Sequence, residues 1–492
     1  MNRIILFAVT LLGFPVTVTL ATERPNIVWI IVDDMSPNFS CYGETAIQTP
    51  NVDALAKRGT MFTRAFVTAP VCSTCRSAFI TGMYQTSIGA HHHRSGRGTE
   101  KIRLPKEIRP LPVLFQQAGY YTTISSWPIR SGKLGKTDYN FEWDRKMYDG
   151  ADWTRRKQGQ PFFAQIQTPG GKLRGGSPRS YERFAARVRL HFEHPTPISK
   201  VRLPTYYPPT PIILTDWAAY LDSVKETDRM VGEVLQKLED DGDLENTVVL
   251  FMTDHGISHA RGKQFLYDEG IHVPLVIAGP GIVAGSTRTD LVEHIDIAAL
   301  SLAKAGIPIP VWMQAKNILN ENYRPRQAVF AARDRCDETV DHIRCVRTQR
   351  FKYIRNYLDQ RPYLQPNAYK DHKAILESLR KADKENQLTA AQKLILAPTR
   401  PKEELYDLEN DPEEIRNLAS SPEYETILQS LRQQLADWEI RTGDQGRTPE
   451  SETMFDSDMK VYLDALKRRH PERWGEVQEN IRLMKKWAAE GK

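Results

Sequence analysis

One stretch limits the possible folds more than any other: an apolar run that ends in two aspartates. Ile27–Val32 is continuously apolar, as a strand buried on both faces of a sheet is, and Asp33 and Asp34 follow it directly. From Pro25 to about Ile307, short apolar segments alternate with amphipathic ones. This alternation indicates a parallel sheet covered on both sides by helices.

Boundary residues locate the individual elements. Pro50 and Gly59 are typical of the start and the end of one helix. Further helices are predicted over Leu111–Ala118 and Asp216–Leu238, and further strands over Tyr120–Ile124, Thr247–Thr253 and Val273–Ala278. From about Arg326 the pattern becomes that of successive antiparallel strands, predicted over Ala328–Ala332, Ile343–Thr348 and Phe351–Asn356.

The sequence therefore predicts an α/β fold with a large mixed, mostly parallel sheet flanked by helices, and a smaller C-terminal antiparallel-sheet α+β domain. We expect a signal peptide at 1–21, the larger α/β domain at 22–325, the smaller subdomain at 326–446 and a charged helical tail at 447–492. The tail is expected to pack on the surface. Residues 170–211, rich in Gly, Pro and Arg, lack clear periodicity and suggest a substrate-facing insertion.

The N-terminus and the overall composition indicate an exported protein. Arg3, an apolar run to about Leu20 and the small residue Ala21 are typical of a secretory signal peptide, so we expect a periplasmic or secreted protein without a transmembrane span in the mature chain. A retained N-terminal anchor is the alternative. With 40% hydrophobic residues and a net charge of +6, the chain is neither disordered, collagen-like nor a polytopic membrane protein. The mild basicity suits an anionic substrate and not nucleic acid.

The five cysteines do not form an evident disulfide framework. Cys336 and Cys345 could pair across a hairpin. Cys72 and Cys75 have the spacing of a redox or zinc pair, but the chain has no second such pair to complete a zinc site.

Acidic side chains follow a second predicted strand as well. Asp254 and His255 come directly after Thr247–Thr253, just as Asp33 and Asp34 follow the first strand. Because ligands gather at the carboxyl ends of such strands, we expect the two pairs to meet there. Converging carboxylates need a cation, and their oxygens favour Ca²⁺ or Mg²⁺, while the histidine leaves other divalent metals open. The alternative is that the aspartates only cap a loop and a turn.

A cysteine is predicted at the start of a short helix that ends at Gly82. A helix N-terminus attracts anions and lowers the pKa of a thiol, so Cys72 is a candidate nucleophile. Arg76 lies one turn later on the same face and is a candidate to bind an anion. A small buried cysteine beside a surface arginine is the alternative interpretation.

Seven segments occur in a particular order between about residues 24 and 440. They are Arg24–Val28 leading into Asp33 and Asp34, Thr49–Ala56, Gly59–Phe62, Cys72–Gly82, Thr253–Gly256, Lys263 with Tyr267–Pro274, and Leu405–Pro412 with Asn417 and Leu418. In this order they resemble the type I sulfatase family, whose members share the alkaline-phosphatase-like fold. Each segment alone is a weak or moderate indicator of the family, whereas the ordered set is a strong one.

The resemblance implies a chemistry. In the family, the motif cysteine is oxidised to formylglycine, whose hydrate attacks sulfur, and the match places this residue at Cys72. The implied cofactor is one divalent metal, with Ca²⁺ preferred and Mg²⁺ as the alternative. The implied partner is a formylglycine-generating or anaerobic sulfatase-maturating enzyme. The implied metal ligands are Asp33, Asp34, Cys72, Asp254 and His255, and the other implied active-site residues are Arg76, Lys136 and Lys263.

Three departures from the family pattern stand out. Thr74 occupies a position that is usually Pro, and it could weaken the modification of Cys72. The family lysine that follows the strand near Tyr120 is delayed, and we favour Lys136 over Lys133 for that role. A histidine that is often found after the Phe162 strand is not evident.

Several other residues are candidates for substrate contact. His259 precedes Lys263 by four residues, and His91 or His92 could belong to a basic rim near the sulfate site. Five charged residues of the smaller domain are expected to form a salt-bridged surface hairpin, with substrate recognition as the alternative. They are Arg333, Arg335, Asp337, Glu338 and Asp341.

We expect a secreted or periplasmic sulfatase that hydrolyses sulfate esters or sulfamates of a carbohydrate. The basic segment from Lys172 to Arg189 points to an anionic sulfated polysaccharide or its oligosaccharides. One alternative is a phosphate or phosphonate ester hydrolase of the same fold. The other is a non-catalytic, glycan-binding pseudo-sulfatase that has lost maturation through Thr74.

Overall fold

A computed structural model describes residues 24–492, so the predicted signal peptide at 1–21 lies outside the described residues. The larger sheet contains eight strands. These are β1 (Asn26–Val32), β2 (Gly59–Phe66), β3 (Tyr121–Ser125), β4 (Phe162–Thr168), β5 (Thr247–Thr253), β6 (His272–Ala278), β7 (Ser286–Arg288) and β8 (Val292–Glu293). The smaller sheet contains β9 (Val329–Arg333), β10 (Ile343–Arg347), β11 (Phe351–Asn356) and β12 (Glu403–Asp407).

The helices of the first two thirds of the chain are α1 (Pro50–Arg58), α2 (Cys72–Thr81), α3 (Leu111–Gln117), α4 (Pro178–Val188), α5 (Pro211–Asp240), α6 (Asp268–Ile271) and α7 (Asp296–Lys304). Those of the last third are α8 (Ala368–Asp371), α9 (Ala374–Lys384), α10 (Ala390–Lys393), α11 (Glu425–Thr442), α12 (Glu452–Arg469) and α13 (Trp474–Ala489). Among residues 24–492, no helix combines the length and apolarity that a bilayer crossing requires.

The larger sheet is mostly parallel and has the order β3-β4-β1-β5-β6-β2-β7, with β8 also paired to β2. Only the pairs that involve β6 are antiparallel. The central strand β1 is buried along its whole length because it pairs with β4 on one side and with β5 on the other. The smaller sheet is antiparallel throughout, in the order β12-β11-β10-β9. The predicted fold class is therefore confirmed.

Residues 170–211 contain more regular structure than the sequence analysis expected. They include α4, whose N-terminus is capped by the Ser177 side chain. Its apolar face, formed by Tyr181, Phe184 and Val188, packs against Ala219 of α5. The sequence analysis did not predict this helix, because its three buried apolar residues are interspersed with Arg179, Arg183 and Arg187.

The charged residues near β9 are buried, so the expectation of a salt-bridged surface hairpin was wrong. Arg335 is 1% exposed and pairs with Glu450 and Asp458, and Asp341 is 3% exposed and pairs with Arg333 and Arg400. Three of these partners, Arg400, Glu450 and Asp458, come from distant parts of the chain, which is why local sequence did not reveal the burial.

The suggested pairing of Cys336 with Cys345 is also wrong, since both are free thiols. Cys345 lies within β10 opposite Ala331 and Ile354, whereas Cys336 lies outside the strand and accepts a hydrogen bond from Gln264 Nε2 at 3.0 Å.

Candidate active site

The two predicted acidic pairs meet at the carboxyl ends of β1 and β5. Val32 and Thr253, the last residues of these strands, are paired in register, so the residues that follow them are neighbours. The backbone N–H of Asp34 donates to Asp254 Oδ1 at 3.1 Å. Asp34 has φ +55°, a left-handed conformation that aspartate tolerates better than most residues.

Four of the predicted metal ligands form one buried group. The candidate donor atoms of Asp34, Cys72, Asp254 and His255 all lie within 4.8 Å of one another. His255 Nε2 is 3.2 Å from both the Cys72 sulfur and Asp34 Oδ1, and 3.5 Å from Asp254 Oδ1. Two carboxylates and an imidazole nitrogen are a donor set that fits a divalent cation.

Asp33 lies beside this group but faces a different set of partners. Its carboxylate is paired with Arg76, with Lys136 Nζ at 3.1 Å and with Lys172 Nζ at 2.6 Å. It is not among the four grouped ligands. Metal coordination by Asp33 therefore stays a prediction.

Without a cation, the negative charges of the carboxylates in the site repel one another. Burial and the nearby charge of Asp33 raise the pKa of Asp254 to about 7. Burial also disfavours ionised Asp33, but Lys136, Lys172 and Arg76 hold its pKa well below the usual range. The charge of Asp33 is thus balanced by its cationic neighbours, whereas the ionised form of Asp254 would be stabilised by a bound metal ion.

Helix α2 places Cys72 and Arg76 in the site. Cys72 is the first residue of the helix, and Arg76 lies one turn later and is 1% exposed. Arg76 Nε donates to Asp254 Oδ2 at 3.2 Å, and its other nitrogens reach Asp33 and Gln167. Arg76 therefore links the acidic residues of β1 and β5 and fixes the helix against them.

Three ammonium groups surround the Cys72 side chain and the adjacent aspartates. Lys263 Nζ is 3.2 Å from the Cys72 sulfur, and Lys172 Nζ is 3.6 Å from it. Lys136 Nζ lies beside Asp33. Burial by itself raises the pKa of the Cys72 thiol, but the charges of these lysines outweigh that effect and hold the pKa well below its usual range. The position of Cys72 is thus suited to an anion.

Lys172 was not recognised in the sequence as an active-site residue. It follows Gly171, whose backbone N–H donates to the Asp33 carbonyl at 2.9 Å. A Cβ on Gly171 would lie 2.2 Å from the Asp34 carbonyl oxygen, so only glycine allows this close approach. The short turn after β4 therefore brings Lys172 to Asp33 and Cys72.

The structure distinguishes the two lysines left open by the sequence. The Lys136 ammonium group contacts Asp33, whereas the Lys133 side chain is exposed to solvent.

His259 lies in an aromatic cluster and is fully buried. Its Nε2 is hydrogen-bonded to Asp216 Oδ1, and its ring packs against Trp217 at a centroid distance of 4.6 Å. Burial lowers the pKa of His259 to about 4 despite the Asp216 charge. These contacts describe a structural role, and contact with substrate stays a prediction.

The three consecutive histidines are divided between two environments. His93 Nδ1 is 2.6 Å from Ser73 Oγ, directly beside Cys72. The rings of His91 and His92 are tilted against each other at a centroid distance of 4.2 Å, and His92 Nδ1 accepts from the Arg335 backbone N–H at 3.2 Å. The histidine beside Cys72 is thus His93, and substrate contact by His91 or His92 stays a prediction.

A tyrosine from the C-terminal part of the chain completes the site. Tyr369 Oη donates to Asp34 Oδ2 at 3.2 Å, and Lys263 Nζ lies 4.7 Å from the centre of its ring. Sequence reasoning missed Tyr369 because it belongs to the short helix α8, far from every recognised motif.

Comparison with known families agrees with this geometry. The family model described as Sulfatase matches residues 25–307, and the model described as N-sulphoglucosamine sulphohydrolase, C-terminal, matches residues 255–398. The first match contains the acidic residues of β1 and β5 together with Cys72.

Individual relatives span most of the chain. An "Ulvan-active sulfatase" of Formosa agariphila is 34% identical over 471 residues, which cover 87% of this chain and 77% of the relative. The human "N-sulphoglucosamine sulphohydrolase" is 27% identical, with 86% of this chain and 92% of the relative covered. Among solved structures, a phosphonate monoester hydrolase of Agrobacterium radiobacter aligns with a TM-score of 0.60 at 16% identity, over 88% of this chain and 99% of that protein.

The chain belongs to the sulfatase family, and the predicted family and enzyme class, a sulfuric ester hydrolase, are confirmed. The phosphonate hydrolase shows that this fold is shared with an enzyme of different specificity, so the fold alone does not define the ester that is cleaved.

Proposed function

We propose that this sulfatase hydrolyses sulfate esters or sulfamates of a carbohydrate, with a sulfated polysaccharide or its oligosaccharides as substrate. The names of two relatives support this substrate class: one is active on ulvan and the other is a sulphohydrolase of N-sulphoglucosamine. The observation that carries the proposal is the position of Cys72 between Lys172 and Lys263, 3.6 and 3.2 Å from its sulfur. A sulfuryl group at Cys72 would meet two cations directly.

The proposed nucleophile is the hydrate of formylglycine, formed from Cys72. When bound, the divalent metal, for which Ca²⁺ is preferred, would supply Lewis-acid stabilisation of the sulfuryl oxygens. Asp34, Asp254 and His255 would hold the metal, and Asp33 is the further proposed ligand. Arg76 orients Asp254 and Asp33, so the acidic side chains keep their positions when the charge of the substrate enters.

The lysines have separate proposed tasks. Lys263 and Lys172 bind sulfuryl oxygens, since both ammonium groups already lie within 4 Å of the Cys72 sulfur. Lys136, held at Asp33, stabilises the negative charge that develops on the departing oxygen or nitrogen. None of these groups needs to move far, which lowers the reorganisation cost of the reaction.

Maturation of Cys72 is part of the proposal and has a direct test. The chain is co-expressed with a formylglycine-generating or anaerobic sulfatase-maturating enzyme, and the peptide Val71–Arg76 is examined by mass spectrometry. We expect Cys72 to lose its sulfur and gain the aldehyde oxygen although Thr74 follows it. Exclusively unmodified cysteine in an active preparation would contradict the formylglycine mechanism.

The substrate class is tested by sulfate release from matched O-sulfated and N-sulfated oligosaccharides, with Cys72→Ala as the control. We expect wild type to release sulfate from at least one set and the variant to release none. Absence of sulfate release by fully matured protein from both sets would overturn the carbohydrate assignment. The predicted signal peptide is also the basis for proposing export to the periplasm or the medium. Fractionation of the expressing cells tests this localisation.

A further inference from the structure

A cavity of about 220 Å³ adjoins the site on the side of β3 and β4. It borders Asp33 and Lys136 and is also lined by Ser126, Ile129, Arg130, Gln167, Thr168 and Pro169. This volume is below the ~300–1,000 Å³ of pockets for drug-sized ligands, so it suits a single sugar ring. The cavity therefore shares Asp33 and Lys136 with the active site.

The segment that forms one wall of the cavity is a closed loop between Ser126 and Gly135. Ser126 N–H donates to the Lys133 carbonyl at 3.1 Å, and Gly135 N–H donates to the Ile124 carbonyl at 3.1 Å. At the tip, Arg130 N–H donates to the Ser126 carbonyl at 3.0 Å. These bonds give the loop a defined shape and set the position of the Arg130 backbone, from which the exposed side chain extends.

The base of the loop packs closely against the neighbouring strand. A Cβ on Gly135 would lie 2.6 Å from the Ser125 carbonyl oxygen and 2.8 Å from Gln167 Cγ, so glycine is required for this approach. The next residue is Lys136, which reaches Asp33. The same turn thus positions a lysine in the active site and an arginine in the adjoining cavity.

The charges that face the cavity leave one cation without a partner. The Asp33 carboxylate is already paired with Arg76, Lys136 and Lys172. Arg130, which lines the cavity, is exposed to solvent, and within residues 24–492 its guanidinium has no protein partner, so it is free to bind an incoming anion. Its planar fork of donors matches a carboxylate or a sulfate. Ile129 and Pro169 provide apolar surface for the C–H face of a sugar.

We propose that this cavity is a second anion subsite, in which Arg130 binds the carboxylate of a uronic acid, or a second sulfate, on the sugar next to the one that carries the scissile group. The inference rests on the proposed carbohydrate substrate and extends it to oligosaccharides with two adjacent acidic groups. Arg130 is thereby a specificity-determining residue that does not touch the reacting atoms.

The test compares Arg130→Gln with wild type on three sulfated disaccharides that differ only in the adjoining sugar. The first has a uronate there, the second has the same sugar with its carboxyl group reduced to an alcohol, and the third has a second sulfate. We expect wild type to prefer an acidic disaccharide over the reduced one in kcat/KM, and R130Q to lower that preference about tenfold, mainly through KM. If R130Q lowers kcat/KM only for the uronate, the cavity is a carboxylate subsite. If it lowers kcat/KM only for the disulfate, the cavity is a sulfate subsite.

Arg155→Gln is the matched control, because Arg155 is an exposed arginine that does not line the cavity. A second measurement does not depend on turnover: titration calorimetry of the same disaccharides with Cys72→Ala protein, with and without R130Q. We expect about tenfold weaker binding of the acidic disaccharide when Arg130 is replaced.

Equal effects of R130Q on the acidic and reduced disaccharides, or no effect, overturn the inference while sulfate release by wild type leaves the proposed function standing. Failure of wild type to release sulfate from any disaccharide counts against the proposed function instead. If the Cys72→Ala protein also binds the acidic and reduced forms equally, the subsite is rejected as well.

Discussion

Lys172 Nζ lies 3.6 Å from the sulfur of Cys72. The same ammonium group is 2.6 Å from Asp33 Oδ2, so one lysine joins the proposed nucleophile to the acidic residues at the end of β1. The turn after β4 therefore supplies positive charge to both groups.

Replacement of this lysine tests its role. Lys172→Met removes a cation from the sulfuryl pocket and keeps much of the side-chain volume. We expect kcat/KM for sulfate release to fall by about 100-fold, as for loss of one donor that stabilises a transition state. Lys200→Met, at an exposed lysine, is the control and should retain activity. Near-wild-type turnover by K172M would show that Lys172 does not contact the sulfuryl group.

The metal assignment predicts a separation of metal binding from folding. Asp254→Asn should lose the bound metal and turnover but keep the circular dichroism spectrum of wild type. Elemental analysis after gel filtration measures the metal content. Full metal occupancy together with full activity in D254N would reject the assignment.

The buried Glu338 carboxyl group should make the unfolding free energy depend on pH. Burial and the charge of Asp337 raise its pKa to about 7, above the value near 4.3 of an unfolded glutamate. Between these values the folded state holds a proton that the unfolded state has lost, so this group makes stability fall as pH rises to about 7 and contributes no slope above it.

Glu338→Gln removes that slope. Glu338 Oε2 has no hydrogen-bond partner within residues 24–492, so the amide adds one unpaired N–H donor relative to protonated glutamate, a cost that does not change with pH. We expect the unfolding free energy of E338Q relative to wild type to rise by about 3 kcal/mol between pH 5 and pH 8. Urea unfolding at both values measures this, with the exposed Glu377→Gln as control. A pH-independent difference would contradict the linkage.

The C-terminal tail is anchored by a buried charge. Asp458 of α12 accepts hydrogen bonds from the backbone N–H groups of Gly96, Arg97 and Gly98 and from Arg335 Nη2 at 2.9 Å. Asp458→Ala would leave Arg335 and three backbone donors with unmet bonds, and we expect it to cost about 3–5 kcal/mol of unfolding free energy. Asp464→Ala, exposed on the same helix, should cost less than 1 kcal/mol. Equal, small effects of the two would mean that the tail is not anchored there.

The parts of the fold that sequence reasoning predicted well are those fixed by local pattern. The apolar run of β1 and its two aspartates define both a buried strand and the edge where ligands gather, and β5 with Asp254 repeats the signal. The end of the short helix from Cys72 to Thr81 was predictable from Gly82, which has φ +67°.

The remaining features depend on contacts between distant segments. Lys172 enters the site because Gly171 allows a close approach to Asp34, and Tyr369 enters from a four-residue helix. Neither carries a signal in its own neighbourhood. The buried charges near β9 escaped notice for the same reason, since Arg335 finds its partner Asp458 more than a hundred residues later.

We propose that the formylglycine made from Cys72, in its cationic and acidic surroundings, cleaves sulfate esters or sulfamates of carbohydrates. The most direct measurement quantifies sulfate and phosphate released in parallel from sulfated oligosaccharides and from the corresponding phosphorylated sugars, by matured wild type and by Cys72→Ala. We expect sulfate release by wild type alone and much slower phosphate release. Faster phosphate release, or sulfate release that persists in the variant, would contradict the account.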